Sequence, residues 1–197
     1  AVVPDDAIWV ANQDDASISV VDADGHERDV VELPHASRPF GIVVSAHLGK
    51  AFVSLQALGE VVEIDLETLR IERTVQVGPS VAGLALDARS SRLYVSRFIS
   101  ADDGGEVAEI ETKKLEVTRR FRLPLDAGPD TEASARGVPN YLRSVVPSPD
   151  GARLWVPAKK DNISRGSARD GLPLTFETSV RTIVAFLDPT SGEEVIE

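Results

Sequence analysis

The chain has 197 residues, 27% charged, with a formal net charge of −11 and no cysteine or methionine. The negative balance argues against nucleic acid as a partner, because phosphate binding needs a basic face. The lack of cysteine excludes a disulfide framework and a c-type haem-attachment motif within these residues, and no run of 18 apolar residues suggests a membrane-spanning helix.

In chain order, residues 1–36 hold a strand at Ile8–Asn12, a second at Ser17–Asp22, a turn at Asp22-Ala23-Asp24-Gly25 and an outermost strand at Arg28–Leu33. Residues 37–78 repeat the pattern with Pro39–Val44, Ala51–Leu55, Glu60–Asp65 and Arg70–Val77. Residues 79–125 do so again with Ser80–Leu86, Leu93–Arg97, Glu106–Glu111 and Leu115–Leu123. A long loop, 126–138, then precedes the last unit, 139–197. That unit reads Asn140–Val146, the turn Ser148-Pro149-Asp150-Gly151, Leu154–Ala158, an insertion over 159–178, Thr182–Asp188, a turn at Asp188-Pro189-Thr190-Ser191-Gly192, and the opening of another strand. Each segment is a short β-branched or aromatic run bounded by Gly, Pro, Asp or Ser, which is how strands and their turns read.

The segments move in step. The aromatics Trp9, Phe52, Tyr94 and Trp155 are spaced 43, 42 and 61 residues apart. Gly41, Gly83 and Ser144 follow at 42 and 61, so one expansion is shared. A period near 42 in a strand-rich chain predicts an all-β propeller of four-stranded antiparallel blades. About four blades are present. The chain opens within an innermost strand and closes at the start of an outermost one, so the expectation is part of a larger ring completed by the remaining blades of the same propeller, with a closed ring of four as the alternative.

Trp9-Val10-Ala11-Asn12 and Leu93-Tyr94-Val95-Ser96, each in a unit of this kind, resemble the YVTN-type (YncE-like, surface-layer) propeller repeat. The runs Arg136–Leu142 and Trp155–Ile163 are similar to a subgroup of large bacterial cell-surface members. The resemblance implies a periplasmic or cell-surface protein, and seven blades. Some members of the subgroup carry a haem segment after the propeller.

In a propeller, the loops joining strand two to three and strand four to the next blade open on one face. Three such loops are long here: Phe98–Gly105, Asp126–Pro139 and Lys159–Thr178. Long loops inside compact domains often carry function. Lys159, Lys160, Arg165, Arg169 and Arg181 outweigh Asp161, Asp170 and Glu177 around the last of them, giving +2 in an acidic chain. Candidate ligand-binding residues are therefore Arg97, Tyr141, Arg143, Lys159, Lys160, Asn162, Arg165 and Arg169. Arg97 ends the second strand of the third blade, and Tyr141 and Arg143 are expected to open the innermost strand of the fourth. Arginine forks suit carboxylates and phosphates. The competing expectation is internal pairing with Asp102, Asp103, Asp130 and Glu132.

Other chemical signals are weaker. Asp102, Asp103 and Glu106 form a calcium candidate, whereas Asp22-Ala23-Asp24-Gly25 sits where a hairpin turn is required. His26, His35 and His47 fall in separate loops. No Gly-x-Ser-x-Gly motif, phosphate loop or cysteine nucleophile is present, so no catalytic residue and no cofactor are assigned. The leading expectation is a non-enzymatic binding or scaffolding module with a protein partner or small anionic ligand. The alternatives are the propeller of a redox or lactonase-like enzyme and a structural surface-layer unit.

Overall fold

Short runs rich in β-branched and other apolar residues, five to nine positions long, make the strands of the described residues: β1 (Ile8–Asn12), β2 (Ser17–Val21), β3 (Glu27–Glu32), β4 (Pro39–Ser45), β5 (Lys50–Leu55), β6 (Glu60–Asp65), β7 (Ile71–Gln76), β8 (Val81–Asp87), β9 (Arg92–Arg97), β10 (Gly104–Glu111), β11 (Glu116–Pro124), β12 (Val138–Asn140), β13 (Val146–Pro147), β14 (Leu154–Asp161) and β15 (Val180–Leu187), of which only β12 and β13 are shorter. The computed structural model describes residues 7–87, 91–129, 136–162 and 180–195. Among these residues every named strand pairing is antiparallel and there is no helix, so none is long and apolar enough to cross a membrane.

The strands form four sheets, which are the blades of a β-propeller. The second and third blades run β4-β5-β6-β7 and β8-β9-β10-β11, innermost strand first. The first has three described strands, β1-β2-β3. In the fourth, β14 carries β15 on one edge and both β12 and β13 on the other. Turn residues close the hairpins as expected: Gly25 donates to the Asp22 carbonyl, Gly151 to that of Ser148 and Gly192 to that of Asp188.

The core lies between blades. Trp9 clusters with Ala51 and Val53 of the next blade, Phe52 with Leu93 and Val95, and Tyr94 with Leu154 and Val156. Outer strands add ties. Arg73 donates to the Thr112 and Lys113 carbonyls of the following blade, and Arg119 to those of Pro189 and Thr190. Arg73 also satisfies the buried Glu63, as Arg92 does Glu109, as buried carboxylates require.

One expectation needs correction. Tyr141 and Arg143 do not open a continuous innermost strand. The strand is split into β12 and β13, and residues 141–145 between them leave the β14 ladder. Tyr141 takes φ +55, where a regular strand cannot continue. Weaker versions of the same break occur at register shifts between Pro39 and Ile42 and between Val81 and Leu84. A second point concerns β14, which runs through Asp161 opposite Val180, so Lys159 and Lys160 are ladder residues rather than loop residues.

Candidate ligand-binding face

The inner-strand breaks are built by a repeated serine. Ser54 accepts from the Gly41 N–H at 2.8 Å and donates to the Ala82 carbonyl of the next blade at 2.5 Å. Ser96 accepts from Gly83 at 3.0 Å and donates to Leu142 at 2.7 Å. Both serines are fully buried. The backbone approach is close enough that a Cβ on Gly83 would lie 2.5 Å from the Arg143 carbonyl oxygen and from Ser144 Cα. Glycine is required here by space. The third blade thereby fixes the backbone that carries Tyr141 and Arg143.

Those two side chains join a row of rings and cations. The Arg143 guanidinium lies 5.1 Å from the Phe98 ring centre and 5.9 Å from that of Phe40. Phe98 meets Tyr141 edge to face at 4.8 Å. Lys159 Nζ stands 3.7 Å from the centre of the Tyr141 ring. Such contacts are worth about 0.5–1 kcal/mol each at exposed sites. Arg143 is exposed and has no carboxylate partner among the described residues. Stacking against rings uses the faces of a guanidinium and leaves its in-plane N–H donors free to fork an oxyanion.

The lysines differ. Lys160 pairs with Asp126 at 2.6 Å, and Lys159 with Asp161 at 3.3 Å. Lys160 and the Gly128 N–H hold the Asp126 carboxyl below the ordinary range. Asp161 also accepts from Asn140 at 2.9 Å. Internal pairing therefore occurs among the described residues, with Asp126 and Asp161; of the acids expected, Asp130 and Glu132 lie outside the described residues. Arg97 ends β9 opposite Val81, on the strand face opposite to Phe98, and its buried Nε has no hydrogen-bond partner. Asn162 follows β14 and is the last described residue before position 180. Arg165 and Arg169 lie outside the described residues.

The calcium candidate is taken up by cations. Asp103 pairs with Arg122, and Glu106 with Arg120 at 2.6 Å. Among the described residues, the one group offering three ligand atoms within 4.8 Å is Asp22, Asp24 and His26. There Asp22 Oδ1 accepts from the Asp24 and His26 N–H groups, both at 2.9 Å, which is the turn-forming role read from the sequence.

Sequence reasoning missed Phe40, Phe98 and Arg38. The signal for Phe40 was available, since it occupies the inner-strand position that Ala82 fills in the next blade. Next to Phe98 the same face holds an open depression of about 620 Å³, walled by Arg38, Gln56, Gln76, Ser80, Phe98 and Ile99.

No protein-family model and no curated protein matches the sequence. Among solved structures the chain is similar to Kuenenia stuttgartiensis hydrazine synthase, with a TM-score of 0.72 and 20% identity over 99% of this chain and 46% of that one. The chain thus spans less than half the length of that structure. At this identity the likeness speaks for fold. Together with the four antiparallel sheets, it shows a β-propeller fold.

Proposed function

We propose that the chain is a non-enzymatic binding module whose ligand face is the row Phe40, Arg143, Phe98, Tyr141 and Lys159, and that it recognises a carboxylate-bearing segment of a protein partner. The observation that carries this reading is Arg143: an exposed guanidinium held against two rings, with no carboxylate partner among the described residues, in a chain of net charge −11. Lys159 and Lys160, at the same edge, are already paired. A fixed arginine with a free edge is the preorganised half of a bidentate contact. The rings beside it offer apolar area to the residues flanking the acid. A secreted or cell-surface setting follows from the resemblance to YVTN-type repeats.

The test is a titration with a fluorescent glutamate-rich peptide, using a lysine-rich peptide as control. Saturable binding is expected for the acidic peptide alone, weakening with added salt as charge contacts are screened. Arg143→Ala removes it by about tenfold or more. Equal binding by the Arg143→Ala protein contradicts the reading.

A further inference from the structure

Arg38, Ser80 and Tyr141 stand three residues before Gly41, Gly83 and Ser144, so they occupy one repeat position. All three take left-handed backbone, with φ of +52, +58 and +55. The turn brings the Arg38 and Ser80 carbonyls onto the Gln56 and Phe98 N–H groups, at 3.0 and 2.7 Å. Glycine adopts this conformation without strain, yet the chain keeps an arginine, a serine and a tyrosine there. Strained residues of this sort gather at ligand sites. Tyr141 belongs to the row of rings and cations. Arg38 and Ser80 line the depression of about 620 Å³ between the second and third blades.

The depression is preformed. Its wall from Gln56 to Gly59, the turn between β5 and β6, is closed by the Leu58 and Gly59 N–H groups on the Leu55 carbonyl, at 3.2 and 2.9 Å. Val77 and Gly78 tie that turn to the next connection by donating to the Gly59 carbonyl, and Gln76 Nε2 donates to the Leu58 and Gly59 carbonyls. Leu58 and Ile99, 37% and 41% exposed, join Phe98 and Pro79 in the apolar part of the lining. The polar part holds the Arg38 guanidinium, the Gln56 carboxamide and the Ser80 hydroxyl, none of which has a hydrogen-bond or ion-pair partner among the described residues. No Asp or Glu lines it, although the chain has 32. Two other depressions are lined by Asp29, Asp65 and Glu67, and by Asp29 and Glu32. The absence of acids here therefore sets this one apart in charge.

We infer that this depression is a second binding site, taking a single carboxylate carried on an apolar group. The guanidinium can fork a carboxylate, and Ser80 and Gln56 add neutral donors. One cation with no anion beside it matches a monoanion. An amine would find no counter-charge, and a phosphate, at nearly two charges, would find only one. Concavities of about 300–1,000 Å³ with apolar walls and a few placed polar groups are how small ligands are held. A free peptide end closing in leucine and a small organic acid share this chemistry. The site stands on Arg38 rather than Arg143, so it holds whether or not the neighbouring row binds acidic segments.

NMR of the whole chain tests this with N-acetyl-leucine, its neutral analogue N-acetyl-leucinamide, and an acetylated alanine pentapeptide ending in leucine. N-acetyl-leucine should move the Ala57, Leu58 and Ile99 amide signals and the Arg38 Nε–Hε signal saturably, with a dissociation constant on the order of a few millimolar for so small a ligand. The Arg143 Nε–Hε signal should stay in place. The neutral analogue should bind about tenfold more weakly or worse, since it lacks the charge. A pentapeptide tighter than N-acetyl-leucine identifies a chain end as the source, and one no tighter a small acid. Arg38→Gly removes the guanidinium and relieves the left-handed strain, so affinity should fall by about tenfold or more while the thermal midpoint stays near that of the parent. Arg38→Gln, which keeps most of the side-chain stem, should lose affinity equally. No saturable movement, equal binding of the neutral analogue, binding that survives both Arg38 variants, or movement of the Arg143 signal with a stationary Arg38 overturns the proposal.

Discussion

Ser96 of the third blade donates its hydroxyl to the Leu142 carbonyl of the fourth at 2.7 Å, one residue before the arginine on which the proposed site depends. Scaffold and site meet at this bond. Ser96→Ala leaves both the Gly83 N–H and the Leu142 carbonyl without this partner in a buried setting. The expected cost is about 1–3 kcal/mol of stability, read in a denaturant titration. Acidic-peptide affinity should fall too, because the segment carrying Arg143 loses its anchor.

Gly83→Ala attacks the same junction from the other side. The added Cβ would sit 2.5 Å from backbone atoms of Arg143 and Ser144, which cannot swing away as a side-chain tip can. Destabilisation of about 1–3 kcal/mol is expected from overpacking, seen as a lower thermal midpoint. Gly25→Ala, where nothing lies within 4 Å of the new Cβ, meets no clash and bears only the strain of its φ of +85.

Arg143 itself should separate binding from stability. Arg143→Ala removes its two ring contacts at a cost of about 1 kcal/mol while abolishing peptide binding. Arg143→Lys keeps the charge but cannot fork a carboxylate, so affinity should stay well below that of the parent protein. Full recovery with lysine, measured by fluorescence anisotropy, would mean that charge alone is recognised.

Acid should weaken the fold in a defined window. The carboxyl of Asp126 is held low first by Lys160 and then by the Gly128 N–H, that of Asp65 by Lys50 and then Thr68, and that of Asp188 by the Thr190 N–H and, with burial opposing, the Ser191 N–H. Below the unfolded value of about 3.9, and above the depressed folded values, the unfolded chain binds more protons than the native one. Stability from these groups is complete above about pH 5 and falls as pH drops through their folded values. Asp126→Asn should cost stability at neutral pH, with the gap to the parent narrowing in acid, as thermal melts at several pH values would show.

Much of the fold was legible because register is hard to imitate. Trp9, Phe52 and Tyr94 recur with their flanking aliphatics at one period, and the outermost strands lie within a residue or two of where the pattern placed them. The site was only partly legible. Charge runs drew notice to Lys159 and Lys160, yet their pairing with Asp161 and Asp126 depends on ladder positions that a loop reading of residues 159–178 concealed. Phe40 and Phe98 are far from Arg143 in sequence and meet it only because neighbouring blades converge near the axis. The split of the last inner strand at Tyr141 had no clear sequence marker, since a left-handed tyrosine is unusual and no glycine announces it.

Arginine side-chain NMR offers the most direct test of the central claim. The Nε–Hε signals of the protein are followed while the glutamate-rich peptide is added, with the Arg143 signal assigned from Arg143→Lys. The account predicts that this signal moves saturably, while those of Arg73 and Arg120, engaged by Glu63 and Glu106, stay in place. Peptide binding with a stationary Arg143 signal would contradict it.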